Sequence, residues 1–213
     1  MRCIVFANGA YGDIEIYRRI IQKQDLIICA DGGANYAHAL NLSPACIVGD
    51  LDSIYPEVRD DYLKRNVLIK QVSCRKDFTD TQLAIATAQE MGADDILLLG
   101  TLGKRLDHTL SNLYCGLEFV QNGMKITHFS DECYVHIVSH EIEFKGTRGD
   151  LVSILPLTEE ASGVSTIGLE YSLQNAILQQ KNPYAVSNVL TGEKGRIVVK
   201  DGLLAVFHYF NKI

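Results

Sequence analysis

Leu26-Ile27-Ile28-Cys29-Ala30-Asp31-Gly32-Gly33-Ala34-Asn35 sets out the fold in miniature. Its apolar run has no polar break, as in a strand buried on both faces of a parallel sheet. An aspartate ends the run, and a glycine pair follows where a helix would begin. The same pattern recurs on both sides. Apolar runs at Cys3–Ala7, Cys46–Val48, Val67–Val72, Ile96–Leu99 and Ile126–Phe129 read as further strands. Helical periodicity fills the gaps between them. Thr79-Asp80-Thr81-Gln82 reads as a capping box, with Thr79 and Gln82 spaced to satisfy each other's free amides. Leu83, Ala84, Ala86, Thr87 and Ala88 continue that helix, and Gly92 stops it. Leu106, Leu110, Leu113, Leu117 and Val120 predict one further helix ending at Asn122-Gly123. Strand–helix alternation of this kind predicts a doubly wound, mostly parallel α/β domain.

The pattern changes near Ser130-Asp131. Beyond it, Tyr134–Val138, Glu141–Phe144, Leu151–Leu155, Ile177–Gln179, Arg196–Val199 and Leu203–Phe210 are short β-type runs. Gly, Asn, Asp and Pro separate them, and no long helical period remains. That predicts a C-terminal antiparallel β-sandwich or small barrel. The expected division is an α/β domain over residues 1–130 and a sandwich over 131–213, with no flexible linker between.

Composition excludes several classes. The 213 residues are 47% hydrophobic and 22% charged, ample apolar material for a packed core. The net charge of −6 is spread over both halves, so no basic patch marks a nucleic-acid partner. No apolar run approaches the ~20 residues of a membrane span. The N-terminus reaches Asn8-Gly9, then Asp13 and Glu15, too soon for a signal peptide. The six cysteines (Cys3, Cys29, Cys46, Cys74, Cys115 and Cys133) form no C-x-x-C pair. They are expected as buried, reduced thiols in a cytoplasmic protein.

Function is legible in where the aspartates fall. Asp31 follows the strand at Leu26–Ala30. Asp50 and Asp52 follow the next, in Gly49-Asp50-Leu51-Asp52-Ser53. Asp77 and Asp80 follow the fourth, and Asp107 the fifth. In an open parallel sheet, the C-terminal strand ends share one edge, where such folds bind ligands. Clustered carboxylates repel one another unless they share a cation. Oxygen-only donors select a hard ion, and Mg²⁺ is held by carboxylates together with substrate phosphates. Asp50 and Asp52 are two apart, so extended backbone would point both the same way.

Glycines and cations lie on the same loops. Gly32-Gly33, Gly100 and Gly103 let backbone amides approach phosphate. Lys76, Lys104 and Arg105 can neutralise its oxygens. The Walker A spacing is absent from Gly100-Thr101-Leu102-Gly103-Lys104-Arg105, and Asn8-Gly9-Ala10-Tyr11-Gly12 is not a dinucleotide fingerprint. There is no Gly-x-Ser-x-Gly elbow for a serine nucleophile. The residues therefore point to a metal-bound nucleotide or polyphosphate.

Four ordered blocks carry a resemblance: Ala30-Asp31-Gly32-Gly33-Ala34-Asn35, Gly49-Asp50-Leu51-Asp52-Ser53, Asp77-Phe78-Thr79-Asp80 and Arg105-Leu106-Asp107-His108. With Gly168-Leu169-Glu170-Tyr171-Ser172-Leu173 and Ser187-Asn188, the chain resembles the thiamine pyrophosphokinase family over nearly its whole length. The resemblance implies a Mg²⁺-dependent transferase that moves pyrophosphate from ATP to the hydroxyethyl group of thiamine, giving thiamine diphosphate and AMP. It implies a homodimer, with thiamine held between the α/β domain of one subunit and the β domain of the other. By position, Asp50, Asp52 and Asp80 would hold Mg²⁺ and the ATP phosphates, with Asp107 beside them and Arg105 on phosphate. Asp31, Gly32, Gly33 and Asn35 would shape the nucleotide site, together with Thr79, Thr101, Gly103 and His108. Ser187 and Asn188 would face thiamine. The chain has no Trp, whereas animal members stack a C-terminal tryptophan on thiamine. Leu203-Leu204-Ala205-Val206 stands at that place, and Tyr171 is the aromatic alternative.

In such a transfer the acceptor hydroxyl attacks the β-phosphorus, and Asp80 or Asp107 takes its proton. The competing readings are a pyrophosphokinase for another hydroxymethyl acceptor such as a pterin, which shares the metal site, a Mg²⁺-dependent phosphohydrolase, and a non-catalytic thiamine diphosphate sensor, against which the intact set of carboxylates argues.

Overall fold

A computed structural model of the chain describes residues 1–73 and 77–210. Cys74 and Lys76, both read from the sequence, lie outside the described residues. The chain divides into two compact units. One comprises Met1–Gly116 with His128–Asp131, the other Leu117–Thr127 with Glu132–Ile213. No described helix is long and apolar enough to cross a membrane.

In the first unit strands and helices alternate: β1 (Arg2–Phe6), α1 (Ile14–Ile20), β2 (Leu26–Ala30), α2 (Gly33–Ala39), β3 (Cys46–Gly49), α3 (Pro56–Lys64), β4 (Leu68–Gln71), α4 (Asp80–Glu90), β5 (Asp95–Leu99) and α5 (Leu106–Cys115). These strands are parallel in the order β5-β1-β2-β3-β4. The chain steps outward from β1 to β4, then returns past β1 to lay down β5. Right-handed crossovers place α4 on the face opposite the earlier helices after such a reversal. This is a mostly parallel, doubly wound sheet. Strands β1, β3 and β5 are apolar and buried nearly throughout, because helices cover both faces. The edge strand β4 is the exception, with Leu68 half exposed. Thr79 caps α4 in the expected capping box with Gln82.

The predicted single helix over 106–121 is two helices. Helix α5 ends at Cys115, Gly116 intervenes, and α6 (Leu117–Gln121) belongs to the second unit. Leu106 and Leu110, the first two of that apolar spacing, are 79% and 55% exposed. The inward side of α5 is partly polar instead. Asn112 Nδ2 donates to the Thr101 carbonyl at 2.9 Å, and the Gly103 amide donates to Thr109 Oγ1 at 3.2 Å. These bonds hold the preceding loop and turn the first two leucines of the stripe outward. Strand β6 (Lys125–Phe129) straddles the two units.

The second unit is all antiparallel beyond α6 and β6. Its strands are β7 (Cys133–Val138), β8 (Glu141–Lys145), β9 (Leu151–Pro156), β10 (Glu160–Ile167), β11 (Ala176–Gln179), β12 (Asn188–Val189), β13 (Lys194–Val198) and β14 (Leu204–Tyr209). Neighbours run β12-β9-β14-β7 on one side and β11-β10-β13-β8 on the other. Val152, Ile154, Leu204 and Val206 from the first group pack with Ala161, Val164, Leu178 and Ile197 from the second, which makes the expected sandwich. Sequence reading missed β10 for a physical reason. Its register shifts between Ala161 and Val164, around Gly163 at φ +68°, so the alternation of inward residues breaks. The two-residue β12 is too short to leave a period.

Within this unit His136 packs between Tyr134 and Phe144, and its Nδ1 lies 3.0 Å from Thr127 Oγ1. Burial first, then the neighbouring His208, pushes its pKa down from 6.5 to about 4. The unfolded chain therefore binds this proton between pH 6.5 and 4 while the folded chain does not. Stability from this group is full above pH 6.5 and falls as the pH drops toward 4. The full shift is worth at most about 3 kcal/mol, and partial exposure of the ring reduces the expected loss to ~1–2 kcal/mol. Urea titrations across this pH range should show a shallower slope for His136→Gln; parallel profiles would rule out the assignment.

Candidate active site

The reversal of strand order between β1 and β5 separates the loops that follow them, and a cleft opens there. It has a volume of about 540 Å³ and is lined from Ala7–Gly9 after β1, Thr79–Thr81 at the start of α4, and the segment after β5 through Asn112. Such a switch point is where open α/β sheets bind ligands. Close backbone packing shapes it. A Cβ on Gly9 would lie 1.9 Å from the Gly100 carbonyl oxygen, and one on Gly100 (φ +69°) 2.4 Å from the Tyr11 ring. That ring stacks on Tyr36 at 4.0 Å, and Tyr36 donates to the Gly9 carbonyl.

The acidic groups form a tighter arrangement than spacing alone suggested. Asp31, Asp50 and Asp52 each offer a carboxylate oxygen within 4.8 Å of the others. Asp50 and Asp52 do not converge through extended backbone. Leu51 between them is left-handed (φ 68°), and the Asp52 amide turns back toward Asp50 Oδ1 at 3.4 Å. Asp31 is also left-handed (φ 46°) and only 6% exposed. Burial pushes its pKa up; hydrogen bonds from Gly32 and Ser53 pull it back, while Asp80 pushes it up again. Its Oδ1 is buried and has no hydrogen-bond partner among the described residues. A buried carboxylate oxygen of this kind, beside two more carboxylates, fits a hard divalent cation such as Mg²⁺. Asp80 Oδ1 lies near by, 3.1 Å from where a Cβ on Gly49 would stand. Asp77 is exposed and does not line the cleft.

On the far wall, Gly103 and Lys104 both take positive φ, which throws the loop into the cleft before α5. Arg105 binds Asp107 with two hydrogen bonds, Nε to Oδ1 at 3.1 Å and a terminal nitrogen to Oδ2 at 2.5 Å. The guanidinium holds the Asp107 carboxyl below the usual range. His108 lines the cleft beside them. Thr101 is buried, and its Oγ1 lies 2.8 Å from His128 Nδ1, so its hydroxyl is engaged in the wall.

In the second unit, Tyr171, Ser187 and Asn188 form a separate constellation. Tyr171 is 67% exposed. Asn188 is buried and clamps Tyr171, accepting from its amide at 3.0 Å and donating to its carbonyl at 2.7 Å. Ser187 is left-handed (φ 58°), and its amide donates to Ser153 Oγ. Asn188 acts on the backbone of Tyr171, a role the sequence did not assign it.

Two family profiles cover most of the chain. "Thiamin pyrophosphokinase, catalytic domain" matches residues 17–128, and "Thiamin pyrophosphokinase, vitamin B1 binding domain" matches residues 139–204. The chain belongs to the thiamin pyrophosphokinase family. Among family relatives, thiamine pyrophosphokinase 1 of Oryza sativa subsp. japonica is 27% identical over 93% of this chain and 87% of its own. Thiamine pyrophosphokinase of Bacillus subtilis is 27% identical over 94% of both chains. The crystal structure of the B. subtilis protein superposes with a TM-score of 0.86 at 23% identity, over 99% of this chain and 100% of that one. Thiamin pyrophosphokinase from Candida albicans gives 0.81 at 18% identity, over 98% and 90%. These structures share the fold.

Against the thiamin pyrophosphokinase resemblance, the structure gathers some expected residues and separates others. Thr79, Asp80, Thr101, Gly103, Arg105, Asp107 and His108 all line the cleft. Asp31, Asp50 and Asp52 form the carboxylate triad. Gly33 has a packing role, since a Cβ there would lie 2.0 Å from the Phe6 carbonyl oxygen; Gly32 faces the Asn8 side chain. Asn35 does not line the cleft and bonds to the Asp52-bearing loop instead. Sequence reading missed Asn8, Ser111 and Asn112 as lining residues. A signal was available for two of them: His108, Ser111 and Asn112 stand at i, i+3 and i+4, a polar helical face.

Proposed function

We propose that the chain transfers pyrophosphate from ATP to the hydroxyethyl group of thiamine, with Mg²⁺, giving thiamine diphosphate and AMP. Family membership supports the reaction class. The observation that carries the metal-dependent reading is the buried, unpartnered Asp31 Oδ1 beside Asp50 and Asp52. In this reading Asp31, Asp50 and Asp52 hold Mg²⁺, with Asp80 adjoining. Bound there, the ion would neutralise phosphate charge and screen the repulsion among the carboxylates.

The acceptor oxygen bonds to the β-phosphorus, the bond from that phosphorus to the α–β bridging oxygen breaks, and AMP leaves with that oxygen. Charge develops on phosphate oxygens, where Arg105 and Lys104 would stabilise it. The hydroxyl proton passes to a carboxylate. Asp107 is held by Arg105 as a weak base, so Asp80 is the proposed acceptor. Thr79, Gly103 and His108 would border the nucleotide. Tyr171 would offer its face to thiamine, with Ser187 beside it and Asn188 fixing its backbone. The homodimer implied by the family resemblance is part of this proposal. The buried thiols of Cys3, Cys29, Cys46 and Cys115 support a reducing, cytoplasmic setting.

The test is a product assay. Purified protein with ATP, Mg²⁺ and thiamine should yield equal amounts of AMP and thiamine diphosphate, resolved by chromatography with mass detection. AMP without a thiamine ester would point to another acceptor or to water. Intact ATP with a folded protein would overturn the reading. Sedimentation of the same sample reads the dimer.

A further inference from the structure

We infer that Asn35 is a positioning residue that sets the spacing of the Asp31–Asp50–Asp52 triad, and through it the affinity for the divalent cation. The inference rests on the triad being the cation site proposed above. Asn35 lies in α2, one turn after Asp31, and the Ala34 and Asn35 amides donate to the carbonyls of Asp31 and Gly32. Asp31 and Asn35 are thus parts of one short rigid segment. The side chain of Asn35 reaches the other acidic segment with both polar ends. Nδ2 donates to the Ser53 carbonyl at 2.9 Å, and Oδ1 accepts from the Tyr55 amide at 3.0 Å. Tyr55 is the N-cap of α3, and its own side chain makes no cap bond there, so Asn35 also satisfies a free amide at that helix start.

Between those two anchors and β3 lies the stretch that needs holding. Asp50–Ser53 follow the strand end, and Leu51 is in the left-handed region. Ser53 Oγ donates to Asp52 Oδ1 at 2.8 Å, and Ser53 also hydrogen-bonds Asp31. One serine therefore touches a carboxylate from each segment, and Asn35 fixes that serine's backbone. Like charges separate if the loop is free to move, so the clamp opposes the triad's own repulsion. A residue acting on metal ligands from behind commonly changes metal affinity 10- to 100-fold.

The test compares wild type, Asn35→Ala and Asn35→Asp, the last equal in size but lacking the donor. Mn²⁺ binding is measured by electron paramagnetic resonance on nucleotide-free protein, alongside Mg²⁺ dependence of turnover. Asn35→Ala should weaken Mn²⁺ about 10-fold or more. It should raise the Mg²⁺ requirement to match, while the KM for ATP at saturating Mg²⁺ stays within about twofold. Asn35→Asp should also weaken Mn²⁺ and serves as the readout if Asn35→Ala does not fold. Unchanged Mn²⁺ affinity in either folded variant overturns the inference. So does a rise in the KM for ATP with unchanged Mn²⁺ binding, which would return Asn35 to the nucleotide. Wild type that binds Mn²⁺ and makes thiamine diphosphate leaves the underlying reading standing whatever the variants do. Wild type that binds no Mn²⁺ removes both.

Discussion

Asp31→Asn is expected to lose about 100- to 1,000-fold in thiamine diphosphate formation and to melt higher than wild type in metal-free buffer. The two effects share one cause. Asp31 is 6% exposed, its Oδ1 has no hydrogen-bond partner among the described residues, and burial already pushes its pKa up. Without a cation, this is an anion held against two others. An amide of the same shape removes the repulsion and can donate toward Asp50 or Asp52. The expected gain is ~1 kcal/mol in metal-free protein. The same exchange removes the most buried proposed ligand, so the stabilised protein should have lost its chemistry. Asp52→Asn should share the loss of turnover with little change in melting, because Asp52 is exposed. Melting curves in chelator and in Mg²⁺, with turnover on the same preparations, check this. Near-wild-type turnover of folded Asp31→Asn would remove Asp31 from the metal site.

Gly33→Ala should destabilise the first unit by ~3 kcal/mol or more, at the upper end for overpacking. The added methyl would lie 2.0 Å from the Phe6 carbonyl oxygen, 2.5 Å from its carbon and 3.0 Å from the Ala7 nitrogen. All three are backbone atoms at the end of β1, so no side chain can swing aside. Relief requires α2 to lift from β1, which would disturb Ala7–Gly9 and with it one wall of the cleft. Gly92→Ala is the control. Nothing lies within 4 Å of its added methyl, and only its φ of +89° opposes the change, an expected cost of ~1 kcal/mol. Urea unfolding of the two variants measures the contrast; equal midpoints would refute the packing account.

The parallel strands were legible because burial on both faces leaves unbroken apolar runs, and β1, β2, β3 and β5 lie within a residue or so of their predicted places. The capping box at Thr79 was legible because it is local chemistry. What failed depended on partners distant in sequence. Leu106 and Leu110 have the right helical spacing for a core, yet Thr109 and Asn112 turn inward to hold a loop. The site shows the same divide. That the aspartates lie at strand ends could be read directly. That Leu51 is left-handed, or that Asn35 binds Ser53 and Tyr55, could not, because neither follows from residue type or period.

Strand order also fixes when the chain can close during synthesis. Residues 2–6 are made first but pair with residues 95–99 on one side. At ~5–20 residues per second, the 88 residues between Phe6 and Asp95 take roughly 4 to 18 s to make. For that interval an apolar strand destined for the interior has an open edge. In the second unit β14 lies between β7 and β9, so residues 204–209 join two strands that must wait for them. Each unit is completed by a late strand, β5 beside β1 in the first and β14 between β7 and β9 in the second, and both stay vulnerable to aggregation until that strand leaves the ribosome. A stop codon before Leu204 would therefore leave a molecule whose second unit has lost its central strand, and chaperone capture of the nascent chain should be released in two steps, one after residue 99 emerges and one after residue 209.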